Sequence, residues 1–99
     1  MSNSTTAHSD IQFVGFGLTK ALGMNAVYGQ TTYRVNGEEA RIGTQIHVDL
    51  DRNRVELEAV GADHRRDERF MEKHGIDKFE LEDAIKESVE RVVRDELGI

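Results

Sequence analysis

The chain predicts an α+β fold in which an antiparallel meander is covered by helices. Three observations carry this expectation. Asn36-Gly37 lies between two stretches of extended character, the strongest short signal for a tight hairpin. The run "IHVDLDRNRVELEAV" alternates apolar and polar residues on both sides of a charged turn, as a half-buried strand pair does. The last third changes to a helical period, with capping residues where helices should begin. The predicted order is α-β-β-β-α-α: a three-stranded antiparallel meander with an N-terminal helix and two C-terminal helices.

Each element has its own justification. Residues 1–8 read as a flexible tail of small polar residues, and 9–99 as a single domain. Ser9 and Gln12 form a capping-box pattern before an apolar run, which predicts a helix from Asp10 to Leu22 closed by Gly23. On that helix Ile11, Val14, Leu18 and Leu22 share one face. Phe13 and Phe16 project from the opposite side, with Gly17 and Lys20 between the two faces. A helix apolar on two sides is buried on two sides. One cover would be the sheet and the other a second chain, which makes Phe13, Phe16 and Lys20 candidate partner contacts. Gly15 and Gly17 would each cost such a helix about 1 kcal/mol relative to alanine, so a short strand at Ile11–Val14 leading into a shorter helix is the alternative.

The Asn36-Gly37 turn sets Val35 opposite Glu38, Arg34 opposite Glu39 and Tyr33 opposite Ala40. A second loop at Asp51–Arg54 is expected to pair Leu50 with Val55 and Val48 with Leu57. Val27, Tyr33, Val35, Ile42, Ile46, Val48, Leu50, Val55 and Leu57 then share the core face, with Ala59 continuing the pattern. Asp63 would cap a short helix ending at His74 and closed by Gly75. Asp77 and Glu80 form a second capping box, opening a helix from Lys78 to Glu96. Its predicted inner stripe is Leu81, Ala84, Ile85, Ser88, Val89 and Val92.

Composition removes several function classes. The 99 residues contain no cysteine, which excludes disulfides, thiolate zinc sites and cysteine nucleophiles. A formal net charge of −6 and a pI near 5.1 disfavour a nucleic-acid partner. No stretch reads as a membrane span, and the polar first residues lack a positive signal-peptide region, so a cytoplasmic setting is expected. The segment "FVGFGLTKALG" imitates a phosphate loop. Lys20 stands where a dinucleotide fingerprint has its third glycine, and hairpins rather than a βαβ unit follow. The string from Asp49 to Asn53 opens like a calcium loop, but Arg54 and Val60 occupy the positions that need glycine and glutamate. No nucleophile elbow is present. The sequence therefore predicts no enzyme, catalytic residue, metal or cofactor.

Two further features bear on partners. The expected second hairpin sets Asp49 opposite Glu56 and His47 opposite Glu58, an acidic strip suited to a protein with a basic surface. His47, His64 and neighbouring carboxylates offer an alternative role in holding a small molecule or divalent metal, His64 and Glu68 being one helical turn apart. Arg65, Arg66 and Arg69 could form a cationic edge for nucleic acid. The element order is similar to that of the double-stranded RNA-binding domain. That family's basic cluster at the start of its last helix is replaced here by the acidic "DKFELEDA", so the resemblance implies no RNA binding. The leading expectation is a small acidic non-enzymatic interaction module, of adaptor, chaperone-like or inhibitory type, that binds another protein and forms a homodimer.

Overall fold

The computed structural model of the chain describes residues 10–23, 25–61 and 65–99, with backbone alone at 20–22. The predicted tail at 1–8 and the cap at Asp63 lie outside the described residues. The elements are β1 (Ile11–Gly23), β2 (Ala26–Val35), β3 (Glu38–Asp49), β4 (Arg54–Gly61), α1 (Arg65–His74) and α2 (Lys78–Leu97). The strands form one antiparallel sheet in the order β1-β2-β3-β4. The α+β class stands, but the sheet has four strands rather than three.

The segment expected to be a helix is β1. It pairs with β2 along its whole length, from Ile11 opposite Val35 to Gly23 opposite Ala26. Gly15 and Gly17 penalise a helix, and the hydrogen bonds gained along β2 decide against it. The register shifts between Phe13 and Gly15, between Leu18 and Lys20, and between Ala21 and Gly23. Each shift inserts one extra residue and resets the in-out alternation. Phe13 and Phe16, three apart, therefore fall on the same side, opposite Tyr33 and Thr31, both of which are buried. Bulges thus give a strand the uneven apolar spacing that imitates a helix. The loss of the N-terminal helix also removes the likeness in element order to the RNA-binding domain.

The first hairpin follows the predicted register, with Asn36 and Gly37 both at positive φ (50° and 88°). The second is offset. The turn occupies residues 50–53, Val48 faces Val55, and Asp49 faces Arg54. Asn53 adopts the left-handed conformation (φ 54°), and the Asp49 Oδ1 accepts from the Arg52 N–H at 3.3 Å. This turn chemistry draws Leu50 out of the core face, where it is 64% exposed. A bulge opposite Gln45 and Ile46 then brings Val60, not Ala59, into the core.

α2 carries the other half of the core. Its capping box is present: the Glu80 N–H donates to Asp77 Oδ1 at 2.8 Å, and the Asp77 N–H donates to Glu80 Oε1 at 3.3 Å. Leu81, Ile85, Val89 and Val93 are buried against Tyr33, Val35, Ile42 and Ile46. The inner stripe steps by four residues, so Ala84 stays exposed and Val93 replaces Val92. The helix backbone comes nearest to the two edge strands, β1 and β4. Between them, Thr31 and Thr44 are fully buried with their hydroxyls 2.7 Å apart. Thr44 donates to the Ile42 carbonyl at 3.2 Å, which leaves Thr31 to donate to Thr44. Among the described residues no helix is long and apolar enough to cross a membrane.

Gly29 explains how β1 packs. It lies on β2 beneath Phe16, and a Cβ there would collide with the Phe16 ring and the Gly17 carbonyl oxygen. We expect Gly29→Ala to lower the unfolding free energy by about 1–3 kcal/mol, the usual cost of overpacking. Urea denaturation checks this, and an unchanged midpoint would show that the ring is not held over Gly29.

Candidate functional site

The two sheet edges are finished differently. On β4 the Leu57 N–H donates to Glu90 Oε2 at 2.9 Å, and the Val60 N–H donates to Glu82 Oε2 at 3.1 Å. Lys86 Nζ holds the same Glu90 oxygen at 3.1 Å, which raises the Lys86 pKa, chiefly through that hydrogen bond. Carboxylates from α2 thus occupy donors that would otherwise invite another strand. On β1 no side chain supplies such a cover among the described residues. The stretch from Ile11 to Thr19 carries no charge, and Val14 and Leu18 are 45% and 38% exposed.

The sequence-predicted contacts are distributed as follows. Phe13 and Phe16 are half-buried and pack on this chain's own core. Lys20 lies opposite Tyr28 on β1. The exposed apolar positions of this segment are Val14 and Leu18, which the helical reading had assigned to the inner face. His47, Asp49, Glu56 and Glu58 do lie along one region of β3 and β4, but not in the expected pairs. His47 faces Glu56, and Asp49 faces Arg54. Arg54 bonds Glu56 at 2.7 Å, Arg52 lies 3.6 Å from Asp49, and Gln45 donates to Glu58 at 2.7 Å. Each acid of the strip has a basic or amide partner, so the strip is a mixed-charge surface. His64 lies outside the described residues. Among those described, no group of three His, Asp or Glu side chains is placed to hold a metal. Arg65, Arg66 and Arg69 are exposed on α1, where Arg66 Nε lies 3.7 Å from Asp67 Oδ1.

A second region went unread in the sequence. Among the described residues β4 pairs with β3 from Gly43 to Asp49, and Glu38–Ile42 have no strand on that side. α1 runs beside this bare stretch. The result is a cleft of about 460 Å³ lined by Ala40, Arg41, Ile42, Gly43, Arg66 and Phe70, among others.

Beside the cleft lies a cluster that runs from buried Tyr33 through Phe70 and His74 to the exposed pair Glu38 and Lys73. The Phe70 ring meets the Tyr33 ring edge-on, with centroids 5.7 Å apart, and packs on His74 at 4.6 Å. Lys73 Nζ bonds Glu38 at 2.9 Å, and His74 Nε2 lies 3.0 Å from the same carboxylate. The Lys73 hydrogen bond is the main cause holding the Glu38 carboxyl below its usual range. The Tyr33 hydroxyl is fully buried and has no hydrogen-bond partner among the described residues. Burial first, and the field of Asp67 second, push its pKa up to about 12.

Two outcomes are expected from this geometry. Glu90→Ala strips the acceptor from Leu57 and costs about 1–3 kcal/mol. Amide exchange should speed up at Leu57 more than at the central strand β2, and equal change in both would contradict a guarded edge. Tyr33 supplies the second. Its folded pKa lies above the unfolded value of about 10. The stability this confers is complete below about pH 10 and drains away as pH rises toward about 12. Tyr33→Phe removes that slope from an alkaline melting series and, by deleting an unpartnered hydroxyl, leaves neutral-pH stability unchanged or higher. A wild-type curve parallel to that of the variant would count against it.

No protein-family model, curated protein or solved structure matches this chain.

Proposed function

We propose that this chain is a non-enzymatic protein-interaction module that self-associates through β1. The observation that supports the reading is the contrast between the two edges. β4 has its donors taken by Glu82 and Glu90, while β1 runs for 13 residues with no such cover among the described residues. An unguarded strand edge is a template for another strand. A second copy of the chain suits it electrostatically. The rest of the molecule is acidic, yet Asp10 and Lys20 are the only charged residues among the first 24. An antiparallel pair of β1 strands centred on Gly15 would set position 10 of each copy near position 20 of the other, acid against base at both ends. A domain this small also gains from burying more surface. In this reading Phe13 and Phe16 brace the strand from within, and Val14 and Leu18 meet the second copy.

Light scattering after size exclusion tests it. The wild type should weigh about twice its 11.2 kDa chain mass, and Val14→Lys combined with Leu18→Lys should return a monomer with an unchanged circular dichroism spectrum. A wild type that stays at the single-chain mass at every concentration would sink the reading, as would a double variant that remains dimeric.

A further inference from the structure

The cleft beside α1 carries a separate inference, independent of whether β1 self-associates. It starts from the backbone. In a two-residue hairpin the residues flanking the turn exchange hydrogen bonds, and such pairs then alternate along the strands. Val35 with Glu38, Tyr33 with Ala40 and Thr31 with Ile42 are therefore the bonded pairs of β2 and β3. Glu39 and Arg41 consequently turn their N–H and C=O groups to the opposite edge. The described pairing with β4 ends at Gly43, and Glu39 and Arg41 have no main-chain partner among the described residues. These four groups form one wall of the cleft, and α1 forms the other.

We propose that this cleft takes an extended acidic segment of another protein, which adds to β3 as a short antiparallel or parallel strand. The side chains define its chemistry. Ala40, Ile42 and Phe70 pack toward the core side, so alternate residues of the incoming segment meet an apolar floor. Arg41 lies on the other face of the strand, exposed and with no carboxylate assigned to it among the described residues. Arg66 stands on the helix wall, 82% exposed and only loosely tied to Asp67 at 3.7 Å. Glu39 and Asp67 also line the cleft, but Glu39 is held by Arg34 at 3.2 Å and Asp67 is buried beside Arg66, so Arg41 is the cation with no assigned carboxylate among the described residues and favours a strand that alternates apolar and acidic residues. At one end of the cleft Gly43, buried on β3, lies opposite Gln30 on β2, and Gln30 and Tyr28 complete the lining. The main chain supplies most of the hydrogen bonds and the arginines supply the selectivity.

The probe is a capped, fluorescently labelled pentapeptide alternating valine and glutamate, with a valine–lysine peptide as control. Binding is followed by fluorescence anisotropy on the full chain. Saturable binding of the glutamate peptide is expected, weakening as salt rises, with none for the lysine peptide. Arg41→Glu and Arg66→Glu lie on the surface and should each reduce affinity by about tenfold or more without lowering the melting temperature. Amide NMR shifts should concentrate at Glu39–Gly43. The proposal is overturned if the glutamate peptide fails to bind, if the lysine peptide binds equally, or if the shifts centre on β1. The mass of the unliganded protein does not enter these readouts, so failure here and failure of self-association are separately visible.

Discussion

The Asn36-Gly37 turn is the constraint on which the rest of the surface depends. Its two left-handed residues leave the hairpin a single register, and that register fixes the face to which every side chain of β2 and β3 points. It also fixes the direction of every main-chain hydrogen bond. The consequence runs outward from there. Alternate residues of β2 bond to β3 and the others to β1, while Glu39 and Arg41 are left facing the cleft. The core and the unpaired edge are set by the same two residues.

The sheet then has edges with opposite treatments. α2 was shaped by burial along Leu81, Ile85, Val89 and Val93, but its flanks also send Glu82 and Glu90 to β4. Arg94 reaches further, donating to the Asn53 carbonyl at 3.0 Å and tying the helix end to the turn between β3 and β4. One helix therefore packs the sheet, finishes one edge and fastens one turn. α2 also comes close to β1, but among the described residues none of its carboxylates bonds the β1 edge. Bulged strands twist more than regular ones, so β1 can curve toward α2 while pairing fully with β2.

Much of this was legible in the sequence where local chemistry decides the outcome. The Asn-Gly turn, the Asp77 and Glu80 capping box and the Gly75 terminator are short-range signals, and each stands in the structure. What was misread depends on partners distant in sequence. Ile11–Gly23 has an apolar spacing consistent with a helix, and only β2, already positioned by its own turn, makes it a strand. Leu50 belongs to an alternating run, yet the needs of Asp49 and Asn53 in the turn displace it. The pairing within the acidic strip changed for the same reason, since a small offset set Asp49 opposite Arg54 rather than Glu56. The cleft was invisible because it depends on how far β4 pairs along β3, which no residue in β3 announces. Phe79, 79% exposed on α2, lay outside the inner stripe from the start, and its exposure agrees with that position.

The buried hydroxyl pair of Thr31 and Thr44 has one more consequence. Apolar patterning cannot detect a slip of two residues between β2 and β3, because every side chain keeps its face. Such a slip would carry the two hydroxyls past each other inside a medium with no water to replace the lost bond, at about 1–3 kcal/mol for each stranded group. A polar contact at the centre of an apolar core thus acts as an alignment key. It reinforces the register that the Asn36-Gly37 turn sets, so that a slipped pairing loses the buried bond as well as the turn geometry.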